Sequence, residues 1–113
     1  VRNETKGEVL ATHAAVADTS ETRRTGLLKH SSLEPGDGLW ITPCEGVHCF
    51  FMKFAIDVLF LNRDKTVRKI KHSMKPWRIS FCLPAHSALE LPAGTAARTN
   101  TQPGDRLAFE KIV

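Results

Sequence analysis

Phe51-Met52-Lys53-Phe54-Ala55-Ile56-Asp57-Val58-Leu59-Phe60-Leu61 is apolar at nearly every position and carries one carboxylate, Asp57, in its middle. Its second half, Ile56 to Leu61, is short, rich in branched and aromatic side chains, and bounded by the turn Asn62-Arg63-Asp64-Lys65, which reads as a buried strand. A carboxylate inside such a strand is costly unless it is paired or hydrogen-bonded. Asp57 is therefore either a structural anchor or part of a site.

Outward from that strand, Thr66 to His72 forms the second arm of a hairpin, and its lysines and arginines suit a sheet edge. Ser73 to Pro84 holds two prolines and no clear period, so it reads as a long loop. His86 to Leu91 reads as a strand stopped by Pro92-Ala93-Gly94. Thr95 to Asn100 reads as one helical turn, and Arg106 to Ile112 as a closing strand. On the N-terminal side, Gly7 to Ala17 reads as a strand, and Asp18 with Glu21 as a capping box for a helix from about Thr19 to His30, with Leu27 and Leu28 as its buried contacts. Leu39 to Thr42 and Val47 to Phe54 complete the strands. About seven short strands and one short helix, with turn signals at short intervals, predict a mainly β fold, a small sandwich or barrel.

The chain of 113 residues reads as a single domain, 1–113. It contains no apolar run long enough to span a bilayer and no signal-peptide pattern at its start. Three cysteines, Cys44, Cys49 and Cys82, are an odd count, which argues against a disulfide scaffold and for a reducing compartment. The expected location is cytoplasmic, or exported where an N-terminal signal has been removed. The net charge of +4 is concentrated: Arg63, Lys65, Arg68, Lys69, Lys71, Lys75 and Arg78 against Asp64 give that window +6 and leave −2 elsewhere.

Five stretches occur in a telling order: Arg23-x-x-Gly26-Leu27-Leu28, Pro35-Gly36-x-Gly38-Leu39, His48-Cys49-Phe50-Phe51-Met52-Lys53-Phe54-Ala55-Ile56-Asp57, Leu89-Glu90-Leu91-Pro92-Ala93-Gly94, and Gly104-Asp105. Together they resemble the family known as domain of unknown function 192, from about Val9 to Phe109. The resemblance implies a jelly-roll-like sandwich with the short helix at one side, and it implies no established enzymatic activity. Cys49, Phe51 and Ala55 stand where that family often has Thr, Trp and Pro, and His30 replaces a common Arg.

The residues that could carry chemistry are few. Cys44, His48 and Cys49 lack the paired spacing and fourth ligand of a structural zinc site, and nothing supplies a lowered thiol pKa or an oxyanion hole for a cysteine nucleophile. The expectation is no metal and no cofactor. Asp57 and Glu90, each between apolar neighbours, are carboxylates that could face one cleft. The leading expectation is a non-enzymatic binding module, its cleft lined by Arg23, His48, Met52, Asp57 and Glu90, for a small polar molecule or a partner segment. One alternative is a hydrolase-like or metal-assisted enzyme using Asp57 and His48 as acid–base groups. The other is an anion or nucleic-acid binder using the basic 63–78 face with Trp77, although no nucleic-acid motif accompanies that face.

Overall fold

The computed structural model describes residues 1–25, 32–44, 46–48, 53–82 and 84–110. The helix expected beyond Thr25, with Leu27 and Leu28, and Cys49, Met52 and Ile112 lie outside the described residues. Among the described residues there are ten strands: β1 (Arg2–Asn3), β2 (Glu8–Val9), β3 (His13–Ala17), β4 (Asp37–Ile41), β5 (Gly46–His48), β6 (Ile56–Leu61), β7 (Val67–Met74), β8 (Ile79–Phe81), β9 (Ser87–Pro92) and β10 (Leu107–Ala108). Two short helices, α1 (Ser20–Thr25) and α2 (Thr95–Arg98), join them. The fold is mainly β.

A five-stranded sheet in the order β3-β4-β9-β6-β7 is the centre of the molecule. A three-stranded sheet, β10-β1-β2, and a two-stranded ribbon, β5-β8, accompany it. All pairings are antiparallel except β3 with β4, where α1 lies in the crossover connection that a parallel pair requires. β6 is buried at all six positions, which explains its unbroken apolar sequence: a central strand covered on both faces has no reason to alternate. Ile56, Val58 and Phe60 enter one apolar cluster with Leu39, Ile41 and Ala88. Leu59 and Leu61 enter a second cluster with Leu89, Leu91, Val67, Ala96 and Leu107. The first is flanked by Cys44 and Cys82, next to the β5-β8 ribbon; the second packs under α2 and the small three-stranded sheet.

The structure corrects three expectations and bears out a fourth. The single strand over Gly7–Ala17 is two, because Leu10 and Ala11 donate their N–H groups to the carbonyl of Val1 instead of to a sheet partner. The long loop over Ser73–Pro84 contains the end of β7 and all of β8. The single helical turn expected from Thr95 is present as α2, four residues long. The box that starts α1 is Thr19 with Thr22: Thr22 N donates to Thr19 Oγ1 at 3.1 Å and Thr19 N to Thr22 Oγ1 at 3.0 Å, so Asp18 and Glu21 do not form it.

Candidate functional site

Antiparallel register sets which side chains share a face. Asp57 lies opposite Leu91 and Val58 opposite Glu90, so Asp57 faces the second cluster and Glu90 the first. The two carboxylates lie on opposite faces of the sheet and do not meet in one cleft. Asp57 is fully buried. Its Oδ1 accepts the N–H of Ser73 at 2.8 Å and its Oδ2 the N–H of Ala96 at 2.9 Å. The carboxylate thus ties together a β7 residue held at φ 47° beside a register shift and the first turn of α2, whose N-cap Gly94 has no side chain to supply an acceptor.

Glu90 has the opposite surroundings. It is 3% exposed, with Leu39 and Val58 as cross-strand neighbours, and its carboxyl makes no hydrogen bond or ion pair among the described residues. Burial pushes its pKa from the ordinary value of 4.5 up to about 7, because desolvation disfavours the charged form. Arg23 lies half-buried on α1, and its Nη1 donates to the Asp18 carbonyl at 3.3 Å, at the start of its own helix. The backbone of His48 ends β5; its side chain, and Met52, lie outside what is described.

A groove of about 460 Å³ lies elsewhere, along β3, and is lined by Val1, Thr12, Ala14, Val16, Trp40, Phe109 and Glu110. Trp40 and Phe109 pack with centroids 4.5 Å apart at 41°, and the Lys65 ammonium sits 5.5 Å from the Trp40 ring centre, within cation–π range. The indole Nε1 of Trp40 is buried and has no hydrogen-bond partner among the described residues, an unmet polar group inside the groove wall.

The backbone beside this groove is equally unfinished. β3 is an edge strand, paired only with β4 among the described strands. His13 N donates to Gly36 O, and Ala17 O accepts from Thr42 N, so His13, Ala15 and Ala17 spend their main-chain groups on β4. By alternation the N–H and C=O of Ala14 and Val16 point away from the sheet. These two residues also line the groove, and Val16 is 52% exposed. None of Ala14, Val16, Trp40 and Phe109 is conspicuous in the sequence, because local pattern does not reveal which strand lies at a sheet edge. The one available signal is His13-Ala-Ala-Val-Ala17 itself: a strand free of the Lys and Pro that normally guard an edge.

Comparison with known proteins agrees with the motif order. The model of the family DUF192, described as an uncharacterized ACR, matches residues 1–109. A UPF0127 protein of Pyrococcus furiosus is 33% identical over 120 residues, covering 98% of each chain. A UPF0127 protein of Thermococcus sibiricus is 33% identical over 116 residues, covering 96% of this chain and 73% of the relative. A solved protein of unknown function from Novosphingobium aromaticivorans shares the fold at a TM-score of 0.82, with 23% identity over 95% of this chain and 81% of that one. The chain belongs to the DUF192 family.

Proposed function

We propose that this member of the DUF192 family is a non-enzymatic binding module whose ligand is an extended segment of a partner protein, laid along β3 and over Trp40 and Phe109. The observation that carries this reading is an edge that no other described strand covers: outward main-chain groups at Ala14 and Val16 run beside a groove walled by Trp40 and Phe109. A strand added there would gain ladder hydrogen bonds from β3 and place alternate side chains in the groove, the mode of recognition known as β-augmentation. A small polar molecule fits the groove less well, since apolar side chains form most of its wall. Glu90 is closed off from solvent and offers no ready entrance. The enzyme reading has less support, because both oxygens of Asp57 are already occupied by backbone N–H groups.

The test is an immobilised array of extended peptides with apolar residues at alternate positions. The wild-type chain is expected to be retained by a subset of them. Val16→Lys, at a half-exposed position on the groove wall, is expected to weaken retention about tenfold, equivalent to about 1.4 kcal/mol, without changing the melting temperature. Retention by no peptide, or equal retention of Val16→Lys, contradicts the reading.

A further inference from the structure

The opposite edge of the five-stranded sheet is built differently. From Lys65 to Leu89 the chain contains no acidic residue. Within that span β7 passes through Lys75-Pro76-Trp77-Arg78 into β8. Alternation in β8 turns Ser80 inward and leaves Ile79 49% and Phe81 60% exposed. Trp77, at φ 67°, is 57% exposed. Three large apolar side chains therefore reach solvent within five residues, more than isolated surface apolar residues would explain. Gly46 makes room for one of them: a Cβ there would lie 2.7 Å from Cδ1 of Phe81, so the ring rests across the β5-β8 ribbon.

Cations lie near these side chains in the chain and on the adjoining strand. Lys69 Nζ donates to the Phe81 carbonyl at 2.7 Å, which fixes an ammonium at the foot of that residue. Lys71 shares its face, because Lys69 pairs with Phe60 and Lys71 with Val58 across β6. Lys75 and Arg78 flank Trp77 in sequence, and all four cations are exposed. Aromatic residues settle at the headgroup level of a bilayer, aliphatic ones enter the acyl boundary, and nearby Lys and Arg are drawn to anionic lipids.

We propose that the Ile79–Phe81 face of β8, together with the exposed Trp77 that precedes it, docks on an anionic phospholipid bilayer surface. Charge complementarity selects that occupant: four exposed cations and no acidic residue in the span oppose a negative surface, while the apolar side chains supply the part that inserts. A single-stranded nucleic acid would use the cations and the rings, but stacking gives it nothing to do with Ile79. This surface belongs to the β7 side of the sheet and the groove to the β3 side, so either reading survives the loss of the other.

The experiment is co-sedimentation of the full chain with phosphatidylcholine vesicles, with and without phosphatidylserine. Binding is expected to the mixed vesicles and not to pure phosphatidylcholine, and to weaken as salt rises. Lys75→Gln with Arg78→Gln is expected to cost about 30-fold, near fivefold for each cation removed from an anionic surface. Ile79→Ser alone, which leaves the Phe81 packing on Gly46 intact, is expected to weaken vesicle binding at constant charge and constant melting temperature. No sedimentation with anionic vesicles overturns the proposal. So does an Ile79→Ser variant that binds vesicles as wild type does. Fluorescence anisotropy with a labelled single-stranded oligonucleotide is the counter-assay: tight binding there without vesicle binding assigns the face to a polyanion and also overturns the proposal.

Discussion

Asp57 and Glu90 are buried carboxylates on adjacent central strands, and their neighbours treat them in opposite ways. Asp57 accepts two backbone N–H groups, one from β7 and one from α2. Asp57→Ala would orphan both, and a loss of roughly 3 kcal/mol is expected in urea unfolding, since leaving a buried donor unpaired costs its full desolvation. Asp57→Asn retains one acceptor oxygen and is expected to lose roughly half as much. Glu90 gains nothing from being charged. Its pKa in the folded chain is raised from 4.5 to about 7, so between those values the folded state holds a proton that the unfolded state releases. Stability is therefore full at acidic pH, below about 4.5, and falls as pH rises through about 7, by about 3 kcal/mol in all at 1.36 kcal/mol per unit. Glu90→Gln should remove that slope and be the more stable protein at about pH 8. Chemical denaturation of both proteins across that range would show it; parallel pH profiles would contradict the assignment. The sequence marks both carboxylates as unusual, since each interrupts an apolar run. Which one is satisfied depends on Ser73 and Ala96, 16 and 39 residues from Asp57, and no local pattern encodes that.

Elements whose signals are local are the ones the chain announces. β6 is legible to the residue, because its apolar run is bounded by turn formers and both of its faces are covered. β8 is hidden, because Pro76 and a tryptophan at positive φ break any alternation on its approach. α2 is marginal by itself: four residues cannot offset the cost of helix nucleation, and its start is secured by Asp57 from another strand. Gly94 at its N-cap has φ 91°, and a Cβ added there would meet no atom within 4 Å. Gly94→Ala therefore meets no steric obstacle, and its expected cost of about 1 kcal/mol comes from the left-handed backbone alone. Thermal unfolding is the measurement, and an unchanged midpoint would mean that this turn relaxes out of the left-handed region. The same reasoning explains the start of α1. Thr19 and Thr22 cap each other, while the Asp18 carbonyl receives Arg23, so two adjacent cap-forming residues leave the starting residue ambiguous by one in the sequence.

At the scale of the molecule, the two edges of one sheet present different surfaces. The β7 edge carries Arg68, Lys69 and Lys71, the charged side chains that discourage another strand from adding. The β3 edge is alanine-rich, uncovered by any other described strand, and adjoined by an apolar groove. An edge left this bare in a folded chain invites strand addition, and the groove gives that addition side-chain specificity. The basic window is plain in the sequence because charge is countable. The groove is not, since β3, β4 and the segment after β10 meet there only through sheet order and the packing of Phe109 on Trp40. The most direct measurement is amide hydrogen exchange at Ala14 and Val16, with and without a peptide retained by the array. Both N–H groups should exchange fast in the free chain and become protected on peptide addition, while those of Ala15 and Ala17 change little. Protection of Ala14 and Val16 already present without peptide, or protection that appears elsewhere and leaves these two amides unchanged, would contradict β-augmentation at this edge.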